Sequence, residues 1–552
     1  MAAAAASRGR TLDRLADETF DLLVVGGGIN GAGIARDAAL RGLAVAVVEQ
    51  ADFASGTSSR SSKLVHGVFR YLELGRVRLV LEACRERERL QRLNPHLVHP
   101  QRFLFPIYDG ASVGRLKMRL GLLAYDLLAG TPGRRRHRML SAEAVRAAEP
   151  ALRAEGLRGG GCYWDARTDD ARLVVETLLS ASDEGAAVAS YVQLAGLLKA
   201  SGRITGARIV DRLSGREITV RARVVVNAAG PWIDAVAALD ETGPPRLRLT
   251  KGVHLLVPRE RVGNRDAIVL RALQDGRVLF VVPWEEQALI GTTDTDHAGG
   301  PDTPPVVEPG DVAYLLETVN HYFPAARLTP ADVVSAYAGL RPLVAPAAGS
   351  ARTPSDTSRE EDILVSRSGL VTIAGGKLTT YRVIAAAVVD RALGVLRAAG
   401  DRRRFARSCT AELPLPGGGA APAELAATAL SRDGHGLTPA VVAHLARRYG
   451  RRLGEVLGVV GGDRSLGVPL VPSLPDPRAE VIAAVEREWA VTLEDVLRRR
   501  TQVALRAADG GADAAALVAG LMAQSLGWTP EKARAAAEAY VETVARDRRR
   551  WR

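Results

Sequence analysis

Asp21-Leu-Leu-Val-Val-Gly-Gly-Gly-Ile-Asn-Gly-Ala-Gly-Ile-Ala-Arg-Asp37 is the stretch whose reading decides the fold. Leu22 to Val25 form the short apolar run of a buried parallel strand. Gly26, Gly28 and Gly31 then spell G-x-G-x-x-G, and Ile34, Ala35 and Ala38 continue at helical spacing. The glycines serve a tight turn, backbone contact with a pyrophosphate, and close packing of helix on strand. Phosphate favours such a helix N-terminus because its amides lack partners and the dipole there is positive. Leu43-Ala-Val-Ala-Val-Val-Glu49 follows as a second apolar strand. It closes on an acid about 20 residues past the glycines, where this fingerprint binds ribose hydroxyls. No arginine comes directly after Glu49, so FAD or NAD is expected rather than NADP. Gly26, Gly28, Ile29, Asn30, Gly31 and Glu49 are the first candidate cofactor contacts.

Downstream, Thr57, Ser58, Ser59, Ser62, Lys63, Leu64 and His66 form a hydroxyl-rich run just past the nucleotide-binding strand. Their hydroxyls and backbone donors are placed to hold the remaining phosphate and the ring system. Val220 to Asn227 reads as a strand that closes on Ala228-Ala-Gly-Pro-Trp232, with Ala228, Gly230 and Trp232 at the cofactor. A third return is expected at Leu370 to Thr380, where a strand meets Gly376, Lys377, Leu378 and Thr379. The expected fold is α/β, built on a Rossmann-like dinucleotide-binding domain. That domain is discontinuous, covering residues 20–80, 156–235 and 360–395. Residues 81–155 and 236–359 form a substrate-binding cap whose alternating strands suggest a mostly antiparallel sheet. Residues 396–425 read as a Pro/Gly linker. Residues 426–552 read as an all-α C-terminal domain, with Thr492 and Asp495 in a capping box and a frayed tail from Arg546.

Composition bounds the rest. A chain of 552 residues exceeds one core, and two or three domains are expected. Its three cysteines, Cys84, Cys162 and Cys409, fit neither a disulfide framework nor a metal knuckle, so a reducing compartment and no metal are expected. The net charge of +12 lies largely in arginine runs without a nucleic-acid motif, so nucleic acid is not an expected partner. Residues 1–19 lack signal-peptide features and read as a disordered tail. No uninterrupted apolar run of about 18 residues suggests a membrane span. Residues 113–129 set Leu116, Leu120, Leu123 and Leu127 on one helical face, with Arg115, Lys117 and Arg119 mainly elsewhere. Such a helix lies on an anionic membrane or packs on its own domain, and the residues alone favour the second reading.

Several segments together resemble the FAD-dependent, aerobic glycerol-3-phosphate dehydrogenases. They are Gly26–Ala35, Thr57–Gly67, Arg70-Tyr-Leu-Glu73, Trp164–Leu173, Asn227–Trp232, Lys251-Gly-Val-His254, Ile290-Gly-Thr-Thr-Asp294, Leu340-Arg-Pro342 and Gly375–Arg382. The likeness runs in register from about residue 20 to the end. Val68 departs from it, standing where the family usually has glycine. The resemblance implies a Rossmann-like FAD-binding domain of the glutathione-reductase or amino-acid-oxidase type, with FAD as cofactor and glycerol 3-phosphate as substrate. It makes Arg70, Tyr71, Arg359 and Lys377 phosphate and substrate contacts. It also implies a quinone or another electron acceptor, a peripheral place on the cytoplasmic face of the plasma membrane, and room for a homodimer.

The implied chemistry is hydride transfer from C2 to flavin N5, giving dihydroxyacetone phosphate. It needs a base for the hydroxyl proton and a cation for the developing alkoxide. His254 is the base candidate, with a core histidine as the alternative, and Arg341 is the cation. Oxygen as acceptor, an amine or amino-acid oxidase, and a non-catalytic flavin-binding redox or membrane sensor are the competing readings.

Overall fold

The computed structural model describes residues 3–67, 69–72, 75–110, 113–129, 136–345, 361–432 and 434–551. Arg359 and Val68 lie outside the described residues, as do the side chains of Arg70 and Tyr71.

Among the described residues, two sheets carry the molecule. The first has eight strands, with Thr19–Val25 at its centre between Val45–Val48 and Glu217–Asn227, all three parallel. Leu22, Leu23 and Val24 are wholly buried, as a strand covered on both faces requires. Strand Ala187–Ala189 extends one side; Val371–Ala374 and Asp362–Val365 extend the other. Helix α1 covers Ala3–Asp17 and α2 covers Ile29–Leu40. One layer of helices is α2 with Asp170–Asp183 and Tyr381–Ala398. On the other side α1 packs on the strands Glu217–Asn227 and Ala187–Ala189. The expected disordered tail is therefore corrected. Leu12 and Leu15 are buried, and Arg8 pairs with Asp211 at 2.6 Å.

The second sheet has ten strands and is mostly antiparallel. Strand Leu157–Thr168 belongs to it, paired along its length with Val98–Tyr108, and so does Leu64–Val65. The expected boundaries, which gave both strands to the cofactor domain, are corrected at these points. Glycines at 159, 160 and 161 let neighbouring chains approach; a Cβ on Gly160 would stand 3.0 Å from Leu104 and from the Phe105 carbonyl.

The segment from Asp401 to Ala421 has no regular structure but is packed. Leu415 is 1% exposed, and Arg36 donates to the carbonyls of Leu413 and Pro414 at 2.8 and 3.0 Å. Helices follow to Trp551. The Thr492–Asp495 box is present: Thr492 N–H donates to Asp495 at 2.9 Å, and Asp495 N–H donates to Thr492 Oγ1 at 3.2 Å. The expected frayed tail is corrected, because Trp551 is buried among Val312, Leu315 and other core residues of the cap. Buried ion pairs fix the helical domain to the first sheet. Arg500 grips both oxygens of Asp52 at 2.8 Å, and Arg172 meets Glu488 at 2.6 Å. Burial pushes the Asp52 carboxyl up, but Arg500 and Arg499 outweigh it and hold its pKa below the ordinary value.

Helix α3 spans Val77–Leu93 and α4 spans Arg115–Ala129. On α4, Met118, Leu122 and Tyr125 are buried, while Leu116, Leu120, Leu123 and Leu127 are 72%, 59%, 47% and 75% exposed. The packed reading of that leucine face is overturned: the helix buries its other side. No helix among the described residues is long and apolar enough to cross a membrane.

Candidate active site

The nucleotide end is built by close backbone approach. Gly26 has φ of +113°, and a Cβ there would stand 2.5 Å from the Ala228 carbonyl oxygen, joining two of the cofactor segments. A Cβ at Gly31 would collide with the Gly26 carbonyl. Gly28 caps α2 without any side-chain hydrogen bond, leaving the positive end of a twelve-residue helix to a phosphate. Glu49 accepts from Gly27 N–H at 2.7 Å and Ala51 N–H at 3.0 Å, which fixes its carboxylate beside the glycine turn. Burial raises its pKa. Ser58 Oγ accepts from Ile29 N–H at 3.0 Å, and Asn30 donates to the Gly375 carbonyl at 3.1 Å. Three distant stretches thus converge on one turn. A donor set of helix amides, an acid and small residues fits a dinucleotide.

Lys63, in the hydroxyl-rich run, is turned into the protein. Its ammonium is 1% exposed and forms a 2.6 Å pair with Asp170, which also accepts from Ser61 Oγ at 2.7 Å. The side chain thereby braces the serine run. Leu64 lies in the short strand on the cap sheet. His66 and Thr379 tie the first and last motifs together, Thr379 Oγ1 accepting from His66 N–H at 3.1 Å.

Sheet register builds the reactive end. Strand Leu247–Pro258 pairs with Ser335–Val344, setting His254 opposite Tyr337, Gly252 opposite Gly339 and Thr250 opposite Arg341. Alternate residues of a strand share a face, so these three pairs look the same way. The two glycines open a hollow between the larger pairs. Arg341 lies over Gly252, where any Cβ would strike its guanidinium, and Arg60 lies over Gly339. Tyr337 stacks on His254 with ring centroids 5.0 Å apart and donates to the Ser61 carbonyl at 2.7 Å.

The hollow belongs to a cavity of about 720 Å³. Its polar lining includes His254, Arg341, Ser62, His66, Thr57 and the run Gly376 to Thr379, and its apolar lining includes Phe69, Leu72, Phe103, Phe105 and Phe280 with Leu116 and Leu120 of α4. His254 is 2% exposed, and Ser62 Oγ lies 2.8 Å from its Nε2. Burial first, then Arg341 and Lys63, hold its pKa well below the ordinary 6.5, so the imidazole is neutral near pH 7. Arg341 donates to Asp294 at 3.0 Å, Thr292 Oγ1 at 2.7 Å and the Thr293 carbonyl at 3.0 Å.

Sequence reasoning missed Arg271 and Arg277 on the same lining, which stand outside every motif, and Arg60, which lies within Thr57–Gly67 among hydroxyl residues that drew the assignment. Burial, then Arg498, pulls Arg60 down to about 10. Asp165 was passed over as well. It accepts from Gly67 N–H at 2.9 Å, Tyr125 at 2.7 Å and Arg87 at 2.5 Å, anchoring the turn before Phe69–Leu72. A larger recess of about 1080 Å³ lies between α1 and the helical domain, and none of the candidate residues lines it.

Comparison with known proteins agrees with this layout. Residues 21–382 match the family described as FAD dependent oxidoreductase, and residues 408–533 match the C-terminal domain of alpha-glycerophosphate oxidase. A glycerol-3-phosphate dehydrogenase of Synechocystis sp. is 39% identical over 539 residues, 95% of this chain and 96% of that one. Glycerol-3-phosphate dehydrogenase 2 of Mycobacterium tuberculosis is 40% identical over 526 residues, covering 95% and 88% of the two chains. The crystal structure of glycerol-3-phosphate dehydrogenase from Bacillus halodurans, complexed with FAD, superposes with a TM-score of 0.80 at 33% identity. That superposition covers 99% of this chain and 98% of the other. With FAD as its cofactor, the chain belongs to the FAD-dependent glycerol-3-phosphate dehydrogenase family.

Proposed function

We propose that the protein oxidises sn-glycerol 3-phosphate at C2 to dihydroxyacetone phosphate and passes the electrons to a quinone. The supporting observation is one cavity whose lining gathers a neutral histidine, a fixed arginine and Lys377. When bound, FAD supplies the two-electron acceptor for the hydride leaving C2. Lys377 holds the anionic end of the substrate, with Arg70, Tyr71 and Arg359 as further contacts. Arg341 stabilises the negative charge that develops on the C2 oxygen. His254 takes the hydroxyl proton at Nε2, where Ser62 Oγ sits in this structure. The phosphate cluster disfavours an amino-acid substrate, which would want one carboxylate clamp.

The apolar lining of the cavity favours a quinone over a polar acceptor, since it includes the exposed Leu116 and Leu120 of α4. Arg115, Lys117 and Arg119 on the same helix suit the cytoplasmic face of an anionic bilayer. Adding glycerol 3-phosphate to the yellow holoenzyme without oxygen is expected to bleach it, and a soluble short-chain quinone to restore the colour. Failure to bleach removes the substrate assignment. Restoration by oxygen alone, with peroxide formed, replaces the dehydrogenase reading by an oxidase.

A further inference from the structure

Asp294 occupies a position that proton and hydride transfer do not by themselves explain. Its carboxylate, about 5% exposed, is shared between two cations. One oxygen accepts from Arg341 at 3.0 Å and the other lies 2.9 Å from Arg277, which also donates to the Asp294 backbone carbonyl at 3.0 Å. Arg277 stands directly before the strand Val278–Trp284, and its Nε lies 3.5 Å from the half-exposed Asp275. Both arginines and Asp294 line the cavity. Thr292 and Thr293, in the same turn as Asp294, hold the other edge of the Arg341 guanidinium. The turn is itself pinned, because Thr293 Oγ1 accepts from Val253 N–H at 3.0 Å.

A carboxylate paired with Arg341 alone would cancel its charge, and a neutral pair is a poor stabiliser of an alkoxide. A carboxylate drawn toward a second guanidinium leaves Arg341 oriented and still electropositive. We propose that Asp294 and Arg277 are a positioning pair. Asp294 sets the plane of Arg341, and Arg277 draws off enough of the carboxylate's field to keep Arg341 active toward the substrate. This rests on the proposed oxidation of glycerol 3-phosphate.

The two members are expected to fail differently. In Arg277→Gln the carboxylate belongs to Arg341 alone, so kcat falls and KM for the anionic glycerol 3-phosphate rises, each roughly tenfold. In Asp294→Asn the anchor is lost while local positive charge grows. There kcat falls roughly 100-fold, as misplacement of a catalytic group does, and KM does not rise. The double variant recovers the KM lost in Arg277→Gln, because no carboxylate remains to quench Arg341. A merely structural role would lower kcat in proportion to FAD content and leave KM alone. Inorganic phosphate, titrated against the flavin difference spectrum, provides a readout that needs no turnover: Arg277→Gln weakens its binding and Asp294→Asn does not. Wild-type protein that binds phosphate but does not oxidise glycerol 3-phosphate overturns the substrate assignment and leaves the pair standing. Active wild type with the same KM and phosphate affinity in Arg277→Gln overturns the pair alone. Should Asp294→Asn lose FAD, Arg277→Gln, which alters a partly exposed side chain, decides the matter by itself.

Discussion

The two ends of the central cavity are built on opposite principles. At the polar end the reacting groups are held by hydrogen bonds and stacking. Arg341 has three kinds of partner in one turn, and His254 is clamped between Tyr337 and Ser62. At the apolar end the wall is an amphipathic helix with its leucines in the solvent. Burying a leucine contributes about 1.5–3 kcal/mol, so the face of α4 leaves several such contributions unclaimed. The contrast separates two demands. Removing a hydride and a proton requires fixed charges in a dry site, because reorganisation at the moment of reaction costs rate. Handing electrons to a lipid-soluble acceptor requires a surface that gains by leaving water.

That comparison can be broken from either side. The largest effect is expected at the polar end, where Arg341→Ala lowers kcat about 10²–10³-fold, or roughly 3–4 kcal/mol. Stopped-flow reduction of the flavin measures it. A rise in KM with unchanged flavin reduction would reduce Arg341 to a binding residue. Helix α4 gives the next contrast. Leu122→Ala, on the buried face, is expected to cost about 2–5 kcal/mol of stability. Leu120→Ser and Leu123→Ser, on the other face, stay within about 0.5 kcal/mol of wild type in chemical denaturation. The same pair should lose binding to phosphatidylglycerol-containing vesicles, which salt also weakens in the wild type. Equal stability losses on both faces would mean that the leucines are covered by protein. The smallest effect is a pH slope. The folded pKa of His254 lies below its unfolded value near 6.5, so the unfolded chain takes up this proton first as pH falls. Stability is fully present above about pH 6.5 and declines below it, by at most about 1.4 kcal/mol per unit, until the folded pKa is reached. His254→Gln should flatten that slope in denaturation curves collected between pH 7 and pH 5.

Much of this was legible because it is local or repeated. The strand–glycine–helix order at Leu22 to Ala38 can be satisfied in few ways, and its structural partner segments at Ala228 and Gly375 carry small residues for the same steric reason. The leucines of α4 were correctly placed on one face, since 3.6-residue spacing is enough for that. Which face meets the protein is a different question, answered by what Leu122 and Tyr125 find to pack against. The tail at Arg546 and the segment before Asp17 looked unstructured because their burial depends on surfaces supplied hundreds of residues away.

The sequence by itself determined the nucleotide turn, the family and the residue types that the chemistry needs, because each follows from short-range sterics or from motifs in order. Tertiary structure alone decided that Gly252 and Gly339 pair across two strands, making room for Arg341 and Arg60, and that Lys63 serves Asp170. It also decided that Asp294 stands between two arginines. Strand register and the pairing of buried charges are settled by long-range packing, which no neighbouring residues in the chain encode.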